Sequence, residues 1–250
     1  MAEFANKVAL VTGGSSGIGR ATALAYAQKG AKVVVASRRI KESEETVALI
    51  QASGGEATFV QTDVSQTAEI ENLINQTIAK FGRLDYAFNN AGIEGEIGLA
   101  IDQTEENWNN IIDINLKSVW LSMKYQIPQM LKQGGGAIIN NASIAGLIGI
   151  PNSSIYVASK HGVLGLTKSI ALEHAKDNIR INAVCPAGVD TDMLTRVLGE
   201  EGKLEFGKKH PIGRLATSEE IANTVIWLCS DSSSFITGQS IAIDGGYTIQ

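Results

Sequence analysis

Two apolar periodicities alternate along this chain, and that alternation limits its fold more than any other feature. Strand-like runs occupy 7–12, 32–36, 57–64, 84–89, 137–142, 179–185 and 240–244. Between them, apolar positions with helical spacing cover 17–29, 41–52, 66–80, 104–132, 154–176 and 218–230. Thr217 with Glu220 forms a capping-box pattern ahead of the last of these. Such an order implies a parallel sheet of about seven strands, right-handed crossovers and helices on both faces, a doubly wound α/β architecture. The chain has 250 residues, 44% of them apolar, enough for one large core. No internal repeat or low-complexity linker divides it, so 1–250 reads as a single domain. One stretch breaks the pattern. Over 188–216, Gly199, Gly202, Gly207, Pro211 and Gly213 punctuate a segment of mixed polarity. A connection this long is commonly functional, here a substrate lid; the blander reading is a partly helical surface excursion.

The first strand runs into glycines: Val8-Ala9-Leu10-Val11-Thr12-Gly13-Gly14-Ser15-Ser16-Gly17-Ile18-Gly19. A helical pattern follows and stops at Gly30, a good C-cap. Strand, glycine turn and helix start are what a dinucleotide pyrophosphate requires. Glycines allow close backbone approach, and a helix N-terminus offers free N–H groups and the positive end of its dipole. The spacing is Thr-Gly-x-x-x-Gly-x-Gly, not the more familiar G-x-G-x-x-G.

A second cluster lies far downstream. Tyr156 and Lys160 are four apart in a helical pattern and share a face. Such a pair is, taken alone, commonly a surface feature. Near a nucleotide it can do chemistry: a cation close to a phenol favours the phenolate. Moving a tyrosine from about 10 to about 7 needs about 4 kcal/mol of preferential stabilisation of the charged form. Ser143 follows the strand 137–142 directly, so its hydroxyl sits at a strand mouth, as a cap or as a site residue.

Together these residues resemble the short-chain dehydrogenase/reductase family in its short single-domain form, over essentially the whole chain. The resemblance implies a Rossmann-type NAD(P)-binding oxidoreductase. Gly13, Ser15, Ser16, Gly17, Ile18 and Gly19 match its cofactor loop. Asp63-Val64 matches its adenine-side pair, and Asn89-Asn90-Ala91-Gly92 the segment after the fourth strand. Pro186-Ala187-Gly188, Val189 and Thr191 fit the segment after the sixth, although the family more often has Pro followed directly by Gly. Asn115, Ser143, Tyr156 and Lys160 match the catalytic tetrad in order. The resemblance gives Ser143 the substrate oxygen, Tyr156 the proton, Lys160 the nicotinamide ribose, and Asn115 a water. It also implies a homotetramer formed through 104–132, 154–176 and the last strand.

Cofactor choice should be legible after the second strand, at Ser37-Arg38-Arg39. A ribose 2′-hydroxyl wants a carboxylate acceptor there, and a 2′-phosphate wants a guanidinium. Ser37 stands where NAD-preferring relatives usually carry Asp, so NADP is expected over NAD.

Scattered basic residues and a net charge of −5 argue against nucleic acid as a partner. No run of 18 apolar residues implies a membrane span, and the first residues do not read as a signal peptide. Cys185 and Cys229 suggest buried thiols in a reducing, cytoplasmic compartment. His161, His174 and His210 lack metal-ligand spacing, so no metal is expected. Around the reacting carbon we expect Ile93, Ile144, Leu147, Ile150, Val189, Met193 and Leu194, with Glu94 and Glu96 near the entrance. That set has no Arg or Lys and suits a neutral ketone or secondary alcohol. The alternatives are a 3-oxoacyl-carrier-protein reductase, a sugar dehydrogenase, or a catalytically silent NADP-binding regulator.

Overall fold

The computed structural model describes residues 2–250. Strands β1 (Val8–Thr12), β2 (Lys32–Ser37), β3 (Ala57–Gln61), β4 (Tyr86–Asn89), β5 (Gly136–Asn141), β6 (Ile179–Pro186) and β7 (Ser240–Ile243) form one sheet. Their spatial order is β3-β2-β1-β4-β5-β6-β7, every pair parallel. Both faces are covered, which is why β1 and β2 read as nearly continuous apolar runs. Alternate residues still serve different layers. Leu10, Val34, Ile138 and Ile181 pack with Leu73, Met123, Met130 and Val163. Ala9, Val11, Val33 and Ile139 pack with Tyr26, Ile50, Ile221 and Val225 on the other face. Fully burying each large apolar side chain contributes about 1.5–3 kcal/mol.

The helices are α1 (Gly17–Gln28), α2 (Ile40–Ala52), α3 (Thr67–Phe81), α4 (Glu105–Ile112), α5 (Ser118–Gln133), α6 (Ser154–His174), α7 (Asp192–Lys208) and α8 (Ser218–Cys229). The capping box of α8 is present in full. One region differs from expectation: the helix expected over 104–132 contains a π-helical turn, Asp113–Lys117, between α4 and α5. The stretch 188–216 carries helix α7, broken by Gly199 at φ 68° and ψ 174°, in line with the partly helical reading. Met193, Leu194, Val197 and Leu198 have helical spacing, but the glycines dilute it. Thr191 caps the helix by accepting from the Leu194 N–H at 3.5 Å.

Chain order reverses between β1 and β4, the switch point of the sheet. In such sheets ligands bind beyond the carboxyl ends of the strands around that point. Thr12, Asn89, Asn141 and Pro186 end β1, β4, β5 and β6 there. No helix among the described residues is long and apolar enough to cross a membrane.

Candidate active site

Two chambers open above these strand ends. The first, about 360 Å³, is bounded by the glycine loop at one side and by 37–39 and 62–64 at the other. Gly13 and Gly17 hold positive φ, 66° and 51°. A Cβ on Gly19 would overlap the Gly13 carbonyl and the Asn90 amide. The Thr12 hydroxyl accepts the N–H groups of Asn90 (2.9 Å) and Ala91 (3.1 Å), and the Asn90 side chain donates to the Thr12 carbonyl at 3.0 Å. These bonds fasten 90–92 to the loop. Ser16 precedes α1 without a side-chain cap, so the first N–H groups of α1 stay free for an anion.

At the far end, the Arg39 guanidinium donates to the Ser16 hydroxyl at 2.5 Å and the Ser15 hydroxyl at 2.8 Å. Arg38 lies 4.0 Å from Asp63, and the Ser37 hydroxyl accepts from the Arg39 N–H at 3.0 Å. Val64, Ile18 and Thr191 complete the expected lining. A cradle without side chains, free helix N–H groups and two guanidinium groups fit a phosphate-bearing dinucleotide.

The second chamber, about 320 Å³, shares Ile18, Asn90, Gly92, Ile93, Asn141, Thr191 and Met193 with the first. Ser143, Tyr156 and Lys160 meet at its inner end, beside Pro186 and Val189. Ile93, Ile144, Ile150, Val189, Met193 and Leu194 line it as expected; Leu147 does not and is exposed. Ile97, Val197, Leu198 and Phe206 join the wall. Glu94 lines it too, but Arg196 Nε donates to Glu94 Oε1 at 3.0 Å across the mouth. The acidic entrance expected from sequence is therefore partly neutralised by a residue of α7.

Asn115 and Gly188 line neither chamber. Asn115 is buried in the π turn and braces the wall from behind: its side chain donates to the Ile93 carbonyl and accepts the Ile93 N–H, both at 2.8 Å. A wider turn is a common way to place such a group. The Gly188 N–H donates to His210 Nε2 at 3.2 Å.

Ser143 Oγ accepts the Ala145 N–H at 3.1 Å and donates to the Pro186 carbonyl at 3.5 Å, so it caps the turn 144–146 while facing the chamber. Lys160 is buried, donates to the Asn141 carbonyl at 2.9 Å, and lies 5.5 Å from the centre of the Tyr156 ring. Burial lowers the Lys160 ammonium to about 8. In the chain by itself the Tyr156 phenol is shifted upward. Burial pushes it up, the Ser143 hydroxyl pulls it down, and the Glu94 carboxylate raises it further. Desolvation dominates, and the Lys160 ammonium donates to the Asn141 carbonyl and not to the phenol.

The family model described as Enoyl-(Acyl carrier protein) reductase matches residues 13–248. The chain is 46% identical over 246 residues to a cyclohexanol dehydrogenase of Acinetobacter sp. strain SE19, covering 98% of this chain and 96% of that one. It is 42% identical to a 2,5-dichloro-2,5-cyclohexadiene-1,4-diol dehydrogenase of Sphingobium indicum, covering 99% of each. The crystal structure of levodione reductase superposes with a TM-score of 0.96 at 36% identity, covering 98% of this chain and 99% of that one. This chain is a short-chain dehydrogenase/reductase. Membership makes it an NAD(P)-dependent oxidoreductase acting on CH–OH groups.

Some site features of this short-chain dehydrogenase/reductase escape sequence reasoning. Asn89, Gln126, Asn140 and Thr167 form a buried hydrogen-bonded chain beneath the site. Apart from Asn89, which belongs to the segment matched after the fourth strand, they look like ordinary polar residues within apolar segments. His210 does not behave as an ordinary surface histidine: it is buried, its Nδ1 meets the Phe206 carbonyl at 2.9 Å, and its ring packs with Phe206 and Tyr247. Arg196 and Phe206 were hidden because they sit on α7, whose helical register is masked by glycines. Cys185 and Cys229 are buried free thiols, pushed up by burial to about 11 and about 12.

Proposed function

We propose that this protein interconverts a neutral, ring-sized ketone and its secondary alcohol with NADP(H), and that 188–216 is its substrate lid. One observation carries the reading: an apolar chamber that holds Ser143, Tyr156 and Lys160 adjoins the glycine-lined one along Asn90, Gly92 and Asn141. The relatives named for cyclohexanol and a cyclohexadiene diol support the substrate size. Ser143 holds the carbonyl oxygen. Tyr156 gives it the proton on reduction and takes it back on oxidation. Lys160 supplies positive charge near the phenol and holds a ribose hydroxyl. Asn115 keeps the Ile93 wall, and through it the chamber floor, in place. Bound nicotinamide supplies or accepts the hydride. Arg39 and Arg38, with Ser37 in place of an acid, support the choice of NADP.

A panel of cyclohexanone, an aryl ketone and a 3-oxoacyl thioester, each with NADPH and NADH, and a sugar lactol with NADP+ and NAD+, tests this. Higher kcat/KM for cyclohexanone with NADPH is expected. Turnover confined to the thioester would favour the second reading, a carrier-protein reductase. A 3-oxoacyl-[acyl-carrier-protein] reductase of Staphylococcus aureus, 42% identical over 241 residues, supports that one. We also propose a homotetramer. Trp108 and Trp120 along α4 and α5, Leu172 on α6, and Phe235 and Ile249 near β7 are large apolar groups left exposed. Light scattering giving a monomer mass at micromolar concentration would count against it. A cytoplasmic location fits the free thiols.

A further inference from the structure

Asn141 carries an anomaly. Its side-chain oxygen, Oδ1, is buried and has no hydrogen-bond partner. Only one other buried side-chain polar atom among the described residues is in that position, the Ser240 hydroxyl. Leaving such an acceptor unmet costs about 1–3 kcal/mol, so it needs a reason. The amide cannot simply be turned round. Asn141 Nδ2 donates to Asn90 Oδ1 at 2.9 Å. Asn90 is itself fixed, because its own Nδ2 donates to the Thr12 carbonyl at 3.0 Å. Exchanging O and N in Asn141 would set two oxygens against each other. The backbone carbonyl of the same residue takes the Lys160 ammonium at 2.9 Å. Asn141 thus stands between the glycine loop and the catalytic lysine, on the partition shared by both chambers.

We propose that Asn141 is a cofactor-positioning residue: Oδ1 accepts a hydrogen bond from a hydroxyl or amide donor in the nicotinamide-riboside half of the dinucleotide. The line from Thr12 through Asn90 to Asn141 then orients that acceptor from the glycine loop. Binding of the cofactor satisfies an atom that the protein alone leaves unmet. This rests on the family's use of NAD(P), not on the choice of NADP or of substrate.

The test compares whole and half cofactor by titration of protein fluorescence. In Asn141→Leu, NADPH should bind about tenfold more weakly, the value of one lost hydrogen bond. Adenosine 2′,5′-bisphosphate, which lacks the nicotinamide riboside, should bind within twofold of wild type. Equal weakening of both would mean that Asn141 only props Asn90 and the loop, and would overturn the proposal. No weakening of either would overturn it as well. NADH with AMP serves as the matching pair if the chain prefers NAD, so a wrong cofactor choice is distinguishable. Should the leucine variant fail to fold, the side-chain amide resonance of Asn141 in the wild type decides. It should shift with NADPH and stay in place with the bisphosphate, and equal response to both would refute the role.

Discussion

The two chambers that adjoin along Asn90 and Asn141 are built by different means. The cofactor chamber is made of backbone: strand ends, glycines at positive φ, free helix N–H groups, and the 90–92 segment held by Thr12. The substrate chamber is made of side chains from α7, the segment after β4 and the turn after β5. Backbone geometry is set by the sheet and tolerates little. A side-chain wall can be exchanged residue by residue while the sheet stays as it is. The division teaches where change is cheap: under the proposed function, substrate range would belong to the second chamber and chemistry to the residues beside the partition.

The residues beside the partition should show the largest effect. Tyr156→Phe removes the transferable proton and should lower kcat/KM by about a thousandfold. Cofactor affinity should stay within about twofold, read by fluorescence titration, because the phenol lies on the substrate side of the partition. Near-normal turnover would remove the tyrosine from the mechanism.

Two glycines sharpen the contrast next. Gly19→Ala places a methyl group against the Gly13 carbonyl and should weaken cofactor binding by more than about a hundredfold. Gly199→Ala meets no atom within 4 Å but must adopt φ 68° with ψ 174°, a region that residues with a Cβ essentially avoid, a strain of about 1–3 kcal/mol. It should alter KM for the ketone a few-fold and leave cofactor affinity alone. If Gly199→Ala harmed cofactor binding as much as Gly19→Ala, the two chambers would not be separable.

Smaller effects should follow from charge. Arg39→Ala removes a group that spans Ser15 and Ser16 and should cost NADPH binding about tenfold to a hundredfold, with NADH unaffected. Ser37→Asp with Arg38→Leu should carry the preference toward NAD by a similar ratio. The pH profile tests Lys160. A lysine lowered to about 8 is charged below that pH and neutral above it. The kcat/KM for ketone reduction should therefore be level below about pH 8 and fall above it. Lys160→Arg should move the falling limb upward, since guanidinium stays charged. A limb that ignores this substitution belongs to another group.

Much of this was legible in the sequence because it is written in local rules. Period and glycine placement give the seven parallel strands and the turn at 13–19, and these depend on neighbours in the chain. Thr217 with Glu220 announces the start of α8 for the same reason. What was not legible depends on distant residues. Helix α7 forms in spite of its glycines, with Thr191 capping it and Met193 and Leu194 facing the second chamber. The upward push on Tyr156 comes from burial, which no spacing of Tyr and Lys reveals. The same holds for Arg196 opposite Glu94, which are 102 residues apart.

The π turn at Asp113–Lys117 carries a consequence for how such a chain can change over evolutionary time. A turn of that kind accommodates one residue more than an α-helical turn. Losing that residue would restore regular hydrogen bonds, an attractive simplification for a helix considered alone. The wider turn absorbs the extra residue, so α5 would keep its face toward the core, with Met123, Ile127 and Met130 in place. What would be lost is the bulge that carries Asn115 to Ile93. The hold on that wall, and not the packing of α5, is what keeps the extra residue, so the length of 105–133 is set by the needs of the site.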